Sequence, residues 1–482
     1  MCLIAASSKD SDILQSATEI TRKKGRIVIL GLIPMNFDRN PFLIKELDIL
    51  ASISYGPGRY DDKYEEKGFD YPYAYVRWTE KRNMEEYLRL LAEKKIKLNL
   101  IAEMEFNVDN ASDAYEYLMG NGSSTGVFIN YDSETPLTNK YITKVKIGST
   151  HLKSQLNIAI IGAGNFIKQV HLPNIKKVNG NISLGAIVCK KGSDALELSK
   201  KYGAGYASTS IDDVLNDTEI NSVIIGTRHN LHAEMVLRAL KAGKHVFVEK
   251  PLAISEQELS NIEHFFMREN AFPKDNLPVL LTGFNRRFSP IMVQIKETVK
   301  NRKFPLVMNY QMNAGFLSPD HWLRTEEGGG RNICEACHIY DLFTFLTDSE
   351  VIDIKVSSIH TNHDDHADDE NFSVTLSFSD GSISSLTYTS LGTNHYPKEI
   401  FNVYVDENVF LMTDYKKLKS YGLSNKNVES DIIEKGHYEE IKAFCDAVIK
   451  GGEWPIPLWQ QIQASKIALK VEEQIATRDL SS

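Results

Sequence analysis

Two glycines one residue apart, Gly162 and Gly164, follow the apolar run Leu156-Asn157-Ile158-Ala159-Ile160-Ile161 and open a helical stretch reaching Lys177. Glycine there permits a tight turn and lets backbone amides at a helix start approach an anion, which is what a pyrophosphate requires. The spacing points to a dinucleotide site formed by Gly162, Gly164, Asn165 and Phe166. Ile167 stands where a third glycine would let helix and strand pack closely, and the same Gly-x-Gly also occurs as an ordinary turn. Further polar clusters, Thr227-Arg228-His229 and Glu249-Lys250-Pro251, each begin where an apolar run ends. Thr227, Arg228, Glu249, Lys250 and the nearby His232 are candidate cofactor contacts.

Those clusters need a scaffold, and the chain supplies one. Ser183–Cys189, Ser222–Gly226 and His245–Val248 read as strands, and Asp194–Tyr202 and Leu231–Ala242 as helices between them. Strands alternating with helices at this spacing predict a Rossmann-type, doubly wound parallel sheet over 156–283, with its ligand crevice at the strands' C-terminal ends. Lys190 and Lys191 follow the second strand, where an NAD site favours an acid. Either lysine can pair with a 2′-phosphate, so the cofactor is expected to be NAD or NADP, with a lean to NADP being accepted; the bland reading is a basic turn.

From residue 284 the pattern changes. Strand-like runs at 304–312, 351–360, 371–378, 382–389, 401–405 and 409–412, with helices at 331–347, 437–450 and 458–476, predict an α+β domain over 284–482 with an open, mainly antiparallel sheet. Residues 132–155 are polar, show little periodicity and read as a linker. Ahead of them, 1–131 has β-α-β grammar: a strand from Cys2, a helix over 10–24 and a strand over 25–31, then helices over 83–93 and 110–119 and a strand over 126–130. It reads as a partial Rossmann-like module.

A chain of 482 residues with 42% hydrophobic and 25% charged residues is long enough for two to four soluble domains. The net charge of −9 argues against a nucleic-acid partner. No apolar run approaches the roughly 18 residues of a spanning helix, so no membrane insertion and a cytoplasmic location are expected. Five scattered cysteines suit a reducing compartment better than a disulfide framework. Cys334-Glu335-Ala336-Cys337-His338 also satisfies the C-x-x-C-H rule for haem attachment, a reading set aside because no export signal accompanies it. A zinc pair lacks a second pair of ligands, and no metal is expected.

Residues 155–482 resemble the Gfo/Idh/MocA oxidoreductases through four clusters in order: Gly162-Ala163-Gly164, Glu249-Lys250-Pro251, Gly283-Phe284-Asn285-Arg286-Arg287-Phe288, and Gly328-Gly329-Gly330 leading to His338-Ile339-Tyr340-Asp341. The resemblance implies NAD(P)-dependent hydride transfer to or from a sugar or nucleotide-sugar hydroxyl or ketone. It places Lys250 between nicotinamide and substrate, its ammonium stabilising a developing alkoxide. His338 is then the candidate proton carrier. Asp341, three residues on, is expected on the same helical face to orient the imidazole. The family often has an aspartate where this chain has Cys334, so Glu335 or Asp341 is the substitute carboxylate.

Asn285, Arg286, Trp322 and Glu335 are candidate substrate contacts, arginine for a hydroxyl-rich or anionic group and Trp322 for a sugar face; a structural salt bridge is the competing reading for the arginines. Tyr310, Asn313, His321 and Arg324 are further cleft candidates.

Residues 1–131 resemble the C-terminal part of the medium-chain, zinc-type alcohol dehydrogenases. The stretches that carry it are Lys45-Glu46-Leu47-Asp48-Ile49, Ser54-Tyr55-Gly56-Pro57-Gly58-Arg59-Tyr60 and Tyr75-Val76-Arg77-Trp78-Thr79-Glu80. That family's nucleotide glycines would precede Met1, so this module is expected to be truncated or degenerate, unable to bind nucleotide or zinc alone. The tandem arrangement resembles bi-domain oxidoreductases of bacterial surface-polysaccharide synthesis, and a homo-oligomer is expected. Two readings from other classes stay open: a non-catalytic nucleotide-binding regulator, and a glycosidase or epimerase whose bound nicotinamide cycles within one turnover.

Overall fold

The computed structural model describes residues 1–10, 12–52, 55–98, 104–120, 126–131, 143–147, 155–178, 180–267, 277–359, 370–422 and 426–478. The chain divides into two compact units, Met1–Lys140 and Tyr141–Ser482.

In the first unit, strands Cys2–Ile4, Arg26–Ile29 and Asp48–Ala51 form a parallel sheet in that order. The helix Asp12–Ile20 joins the first two, and its Leu14 and Ala17 pack on Ile4, Ile27 and Ile29. The Lys45 ammonium donates to the carbonyls of Thr18, Glu19 and Thr21, satisfying the orphan acceptors of the helix end. Strands Met104–Asn107 and Val127–Asn130 make a separate parallel pair joined by the helix Ala111–Met119. Ser54 of the tyrosine- and glycine-rich segment lies outside the described residues.

The second unit carries the Rossmann-type sheet expected from the sequence. Its seven strands lie in the order Leu280–Thr282, His245–Val248, Ser222–Ile225, Leu156–Ile161, Ile182–Val188, Tyr206–Ser208, Lys144–Lys146. The first six run parallel. Side chains alternate along Leu156–Ile161: Ile158 and Ile160 join one apolar core, Ala159 and Ile161 another, on opposite faces.

Lys144–Lys146 corrects the linker expectation. Within 132–155 this stretch is an antiparallel edge strand paired with Tyr206–Ser208. Its polar sequence hid it, because an edge strand can be polar; Lys144 lies 3.7 Å over the Tyr206 ring and pairs with Asp217 at 3.4 Å. Residues 132–142 and 148–154 lie outside the described residues.

The following domain is α+β with an eight-stranded sheet, ordered Val351–Ser358, Phe372–Phe378, Ile383–Thr389, Val307–Asn313, Glu399–Val405, Asn408–Thr413, Lys417–Tyr421, Val428–Glu429. All neighbours are antiparallel except Val307–Asn313 with Ile383–Thr389. Phe372, Val374, Leu376 and Phe378 belong to the same core as the helices Cys337–Thr347 and Leu458–Arg478, while Ser373 and Thr375 are exposed. One covered face is the usual state of an antiparallel sheet. The last two strands went unpredicted because Lys417–Tyr421 is largely polar and Val428–Glu429 spans two residues. His360, the expected end of the first of these strands, lies outside the described residues.

Candidate active site

The strand Leu156–Ile161 delivers Gly162 at φ +82°, where a Cβ would fall 2.5 Å from Thr227 Cγ2 and 2.9 Å from the Thr227 backbone. Only glycine fits between these two strand ends. Gly164, Asn165 and Phe166 are exposed just beyond, at the opening of the next helix. The missing third glycine is replaced from the other side: Ile167 is buried, and Gly226 accommodates it, since a Cβ on Gly226 would sit 2.3 Å from Ile167 Cγ1. The small residue that permits close packing has moved to the neighbouring strand.

A π-helical turn over Ile167–His171 swings His171 into the core, where its Nε2 donates to Glu249. Ligand-type atoms of His171, Glu249 and Glu440 lie within 4.8 Å of one another. Burial, with Glu249 nearby, lifts the Glu440 carboxyl far above the usual range and keeps it neutral. Glu249 stays ionised, because His171 and Lys250 outweigh its burial. Sequence reasoning had not singled out His171 or Glu440; each sits inside a helical pattern with no local cue.

Lys250 follows the strand His245–Val248, joined to Pro251 by a cis peptide bond. Its ammonium donates to the carbonyl of Cys334 at 2.7 Å, reaching from the nucleotide domain to a second π-helical turn, Asn332–Ala336. His338 lies on the next turn, at the start of the helix Cys337–Thr347. The two sequence clusters therefore meet. His338 is 6% exposed, and its buried Nδ1 has no hydrogen-bond partner among the described residues. Burial, then the charges of Arg286 and Lys250, hold its pKa well below that of a free imidazole, so the ring is neutral.

Asp341 does not orient His338, which corrects the sequence expectation. Arg287 takes both its oxygens, Nε to Oδ2 at 2.9 Å and Nη2 to Oδ1 at 2.5 Å, in a fully buried bidentate pair. Burial raises the Asp341 pKa to about 6 against the pull of Arg287. Arg286 is likewise corrected as a substrate grip. Its fork is filled by Glu399, Nε to Oε2 at 3.0 Å and Nη2 to Oε1 at 3.3 Å. Asn285, also buried, donates to the carbonyl of Lys435 at 2.7 Å and braces that backbone. His232 is fully buried between the carbonyls of Pro251, 2.8 Å from Nδ1, and Thr227, 3.3 Å from Nε2; it shapes the two strand-end loops and presents no face to a cofactor.

Trp322 lies under the Arg228 guanidinium at 4.1 Å and meets His229 edge-on at 4.8 Å, so the loop after the third core strand and the short helix Trp322–Arg324 close on each other. Arg324 is spent on Glu370 at 2.8 Å. Tyr310 is buried and donates to Glu399. Glu335 is held by Arg331 at 3.2 Å and by the Tyr388 hydroxyl, and stays ionised because these partners outweigh burial. Lys190 and Lys191 are exposed before the helix Gly192–Tyr202. The cysteines are free thiols, and burial raises Cys337 to about 12. A separate groove of about 1010 Å³, lined by Leu259, Phe266, Trp459 and Ile462, contains none of these groups.

Comparison with known proteins adds identity to this geometry. A model for an oxidoreductase family with an NAD-binding Rossmann fold matches residues 156–271, and one for a GFO/IDH/MocA C-terminal domain matches residues 292–410. The uncharacterized oxidoreductase YrbE of Bacillus subtilis (strain 168) is 23% identical over 344 residues, covering 67% of this chain and 96% of its own. The myo-inositol 2-dehydrogenase of Thermotoga maritima is 29% identical over 201 residues, covering 41% and 57% respectively. Among solved structures, a levoglucosan dehydrogenase in complex with NADH superposes with a TM-score of 0.57 at 18% identity, covering 67% of this chain and 97% of its own. A UDP-N-acetylglucosamine 3-dehydrogenase from Acidithiobacillus ferrooxidans gives 0.54 at 16% identity, over 66% and 96%.

Proposed function

We propose that this chain, whose residues 156–271 and 292–410 match models of the Gfo/Idh/MocA NAD-binding and C-terminal domains, is an oxidoreductase of that family that oxidises or reduces a sugar or nucleotide-sugar at one hydroxyl-bearing carbon. Relatives named for inositol, levoglucosan and a UDP-amino sugar support a polyhydroxylated substrate. A role in surface-polysaccharide synthesis is the biological setting proposed for it. Residues 1–131 are proposed to correspond to the C-terminal part of a medium-chain dehydrogenase module, in keeping with their short parallel sheet.

The observation that carries this reading is the hydrogen bond from Lys250 to Cys334, which draws the lysine to the helix turn bearing His338. The residues fit a dinucleotide: Gly162 makes the tight turn at φ +82° against Thr227 that no side chain could share, and Gly164 to Phe166 are open at a helix start. Bound there, NAD(P) supplies the hydride acceptor or donor. Gly162, Gly164, Asn165, Phe166, Thr227, Arg228 and Lys190 are the proposed cofactor contacts, and Trp322 and Glu335 the proposed substrate contacts.

In the oxidising direction a carbinol C–H bond gives up hydride while the O–H bond gives up a proton, leaving a ketone. The Lys250 ammonium stabilises the oxygen as it becomes an alkoxide. Neutral His338 accepts the hydroxyl proton at Nε2 and releases it to solvent. Glu335, ionised and tied to Arg331, accepts a hydrogen bond from a neighbouring substrate hydroxyl.

Screening sugars and nucleotide sugars for change in nicotinamide absorbance tests the proposal. It predicts turnover with at least one of them, lowered by about 10²- to 10⁴-fold in Lys250→Met. A chain that binds cofactor and reduces or oxidises none of them contradicts it.

A further inference from the structure

Three residues from three elements bring metal-binding atoms together in the interior of the second unit. His171 comes from the π-helical turn Ile167–His171, Glu249 directly follows the strand His245–Val248, and Glu440 stands in the first turn of the helix His437–Lys450. One ligand-type atom from each lies within 4.8 Å of the other two. His171 is 0% exposed and Glu440 1%. His171 meets Glu249 through Nε2, but that contact leaves the group incomplete: Glu440 Oε2 is buried with no hydrogen-bond partner among the described residues. The walls are apolar. The His171 ring meets Phe166 edge-on at 5.1 Å and Phe247 at 5.2 Å, and Phe247 meets Phe444, one helical turn beyond Glu440, at 5.8 Å. Gly283 makes room for the Glu249 carboxylate, since a Cβ there would fall 3.2 Å from Oε1 and 3.3 Å from Oε2.

A buried carboxyl with one oxygen unpaired is costly, and two carboxyl groups beside one imidazole in an apolar enclosure do not both ionise unaided. A divalent cation removes both penalties. It gives the unpaired oxygen a partner and balances two carboxylates. One imidazole nitrogen and two carboxylate oxygens form a Zn²⁺-type donor set, with no thiolate for Cu⁺ and fewer oxygens than the about six to eight that Ca²⁺ takes. Metal–ligand lengths of about 2.0–2.2 Å place tetrahedral ligand atoms about 3.4 Å apart, so the atoms present need only small side-chain shifts, the His171–Glu249 contact opening to admit the ion.

We propose that His171, Glu249 and Glu440 form a structural Zn²⁺ site that ties the helix after the nucleotide turn and the strand end before Lys250 to the helix His437–Lys450. The ion enters as M²⁺, the Glu440 proton leaves to solvent and the ring proton of His171 shifts from Nε2 to Nδ1, so that two carboxylates and one dication sum to zero. A water or the second oxygen of a carboxylate fills the fourth position. Lys250 is the next residue after a ligand, so the ion steadies the backbone from which the ammonium reaches Cys334. The site takes no part in hydride transfer. No local spacing marks these three residues as a set, which is why the sequence offers no sign of a metal.

The test uses the full chain stripped with a chelator and titrated with ZnCl₂ by calorimetry, with MgCl₂ as control, and with CoCl₂ by visible absorption. Saturable uptake of one Zn²⁺ per chain is expected, with a rise in melting temperature and Mg²⁺ binding at least about 100-fold weaker. The Co²⁺ spectrum is expected to lack the thiolate charge-transfer band that ligation by Cys334 and Cys337 would give. Glu440→Gln copies the shape of a protonated acid, which burial beside Glu249 makes the metal-free state of this residue. It is therefore expected to melt near the metal-free wild type and to lose more than about 100-fold in Zn²⁺ affinity, above the range for losing an outer partner of a ligand. The wild-type stoichiometry and Co²⁺ spectrum decide the matter even where the variant folds poorly. No saturable Zn²⁺ uptake overturns the proposal, as does a Zn²⁺ affinity unchanged in Glu440→Gln or a thiolate band in the Co²⁺ spectrum.

Discussion

The Lys250 ammonium donates to the backbone carbonyl of Cys334 at 2.7 Å, across the join between a parallel sheet and the helix layer of a largely antiparallel one. A backbone acceptor makes no demand on the side chain at position 334, so a cysteine can stand there. Lys250→Met is predicted to lower kcat by about 10²- to 10⁴-fold, the range of one electrostatic or acid–base contribution. His338→Gln should fall in the same range. NAD affinity, measured by fluorescence titration, is expected to change less than about threefold in both, each threefold being about half of the 1.4 kcal/mol that separates decades.

Ile167 and Gly226 form a packing pair that replaces the third glycine of the nucleotide turn. Gly226→Ala is predicted to weaken NAD binding and lower the melting temperature, since its Cβ overlaps Ile167. Adding Ile167→Ala should recover a substantial part of both losses, and a double mutant no better than Gly226→Ala would refute the pairing.

The Arg287–Asp341 pair is buried and structural. Asp341→Asn or Arg287→Met strands a buried group, at a cost of about 3–5 kcal/mol. Chemical denaturation should register that loss. At temperatures where the Asp341→Asn variant remains folded, its kcat is predicted to stay near wild type, unlike that of His338→Gln.

Buried histidines set the acid limit of the fold. Burial lowers His229 to about 3 and His437 to about 4 from 6.5, and also depresses His232 and His338. A depressed folded-state pKa gives stability that is present above the unfolded value and lost as pH falls. The melting temperature is therefore predicted to drop between about pH 6.5 and about pH 4 by the equivalent of several kcal/mol. Asp341, raised to about 6 from 3.8, and Glu440, also raised by burial, work in the opposite sense, as two groups against these four.

Lys190 and Lys191 stand exposed after the strand Ile182–Val188, and Rossmann sites in general read the ribose 2′-substituent at that strand end. The Lys190→Glu, Lys191→Glu double variant is predicted to weaken NADP by about tenfold relative to NAD, the worth of a lost charge-assisted contact. Competitive binding of the two cofactors measures the ratio.

What the sequence made legible was periodic or local. The alternation in Leu156–Ile161 and the glycine after it announced both the sheet and the turn, because period and glycine are written in consecutive residues. Arg286 and Asp341 were misread because their partners, Glu399 and Arg287, lie 113 and 54 residues away. Nothing in a helical pattern says which distant charge will meet it. His171 escaped notice because a π-helical turn, not the ordinary helical period, aims it at Glu249. The strand Lys144–Lys146 was hidden because an edge strand carries no apolar alternation.

A crystal structure of the chain with NADH and a substrate analogue tests the central claim most directly. The account predicts one substrate oxygen within about 3 Å of both Lys250 Nζ and His338 Nε2, with its carbon facing the nicotinamide. A nicotinamide bound elsewhere, or an analogue whose reacting oxygen reaches neither side chain, contradicts it.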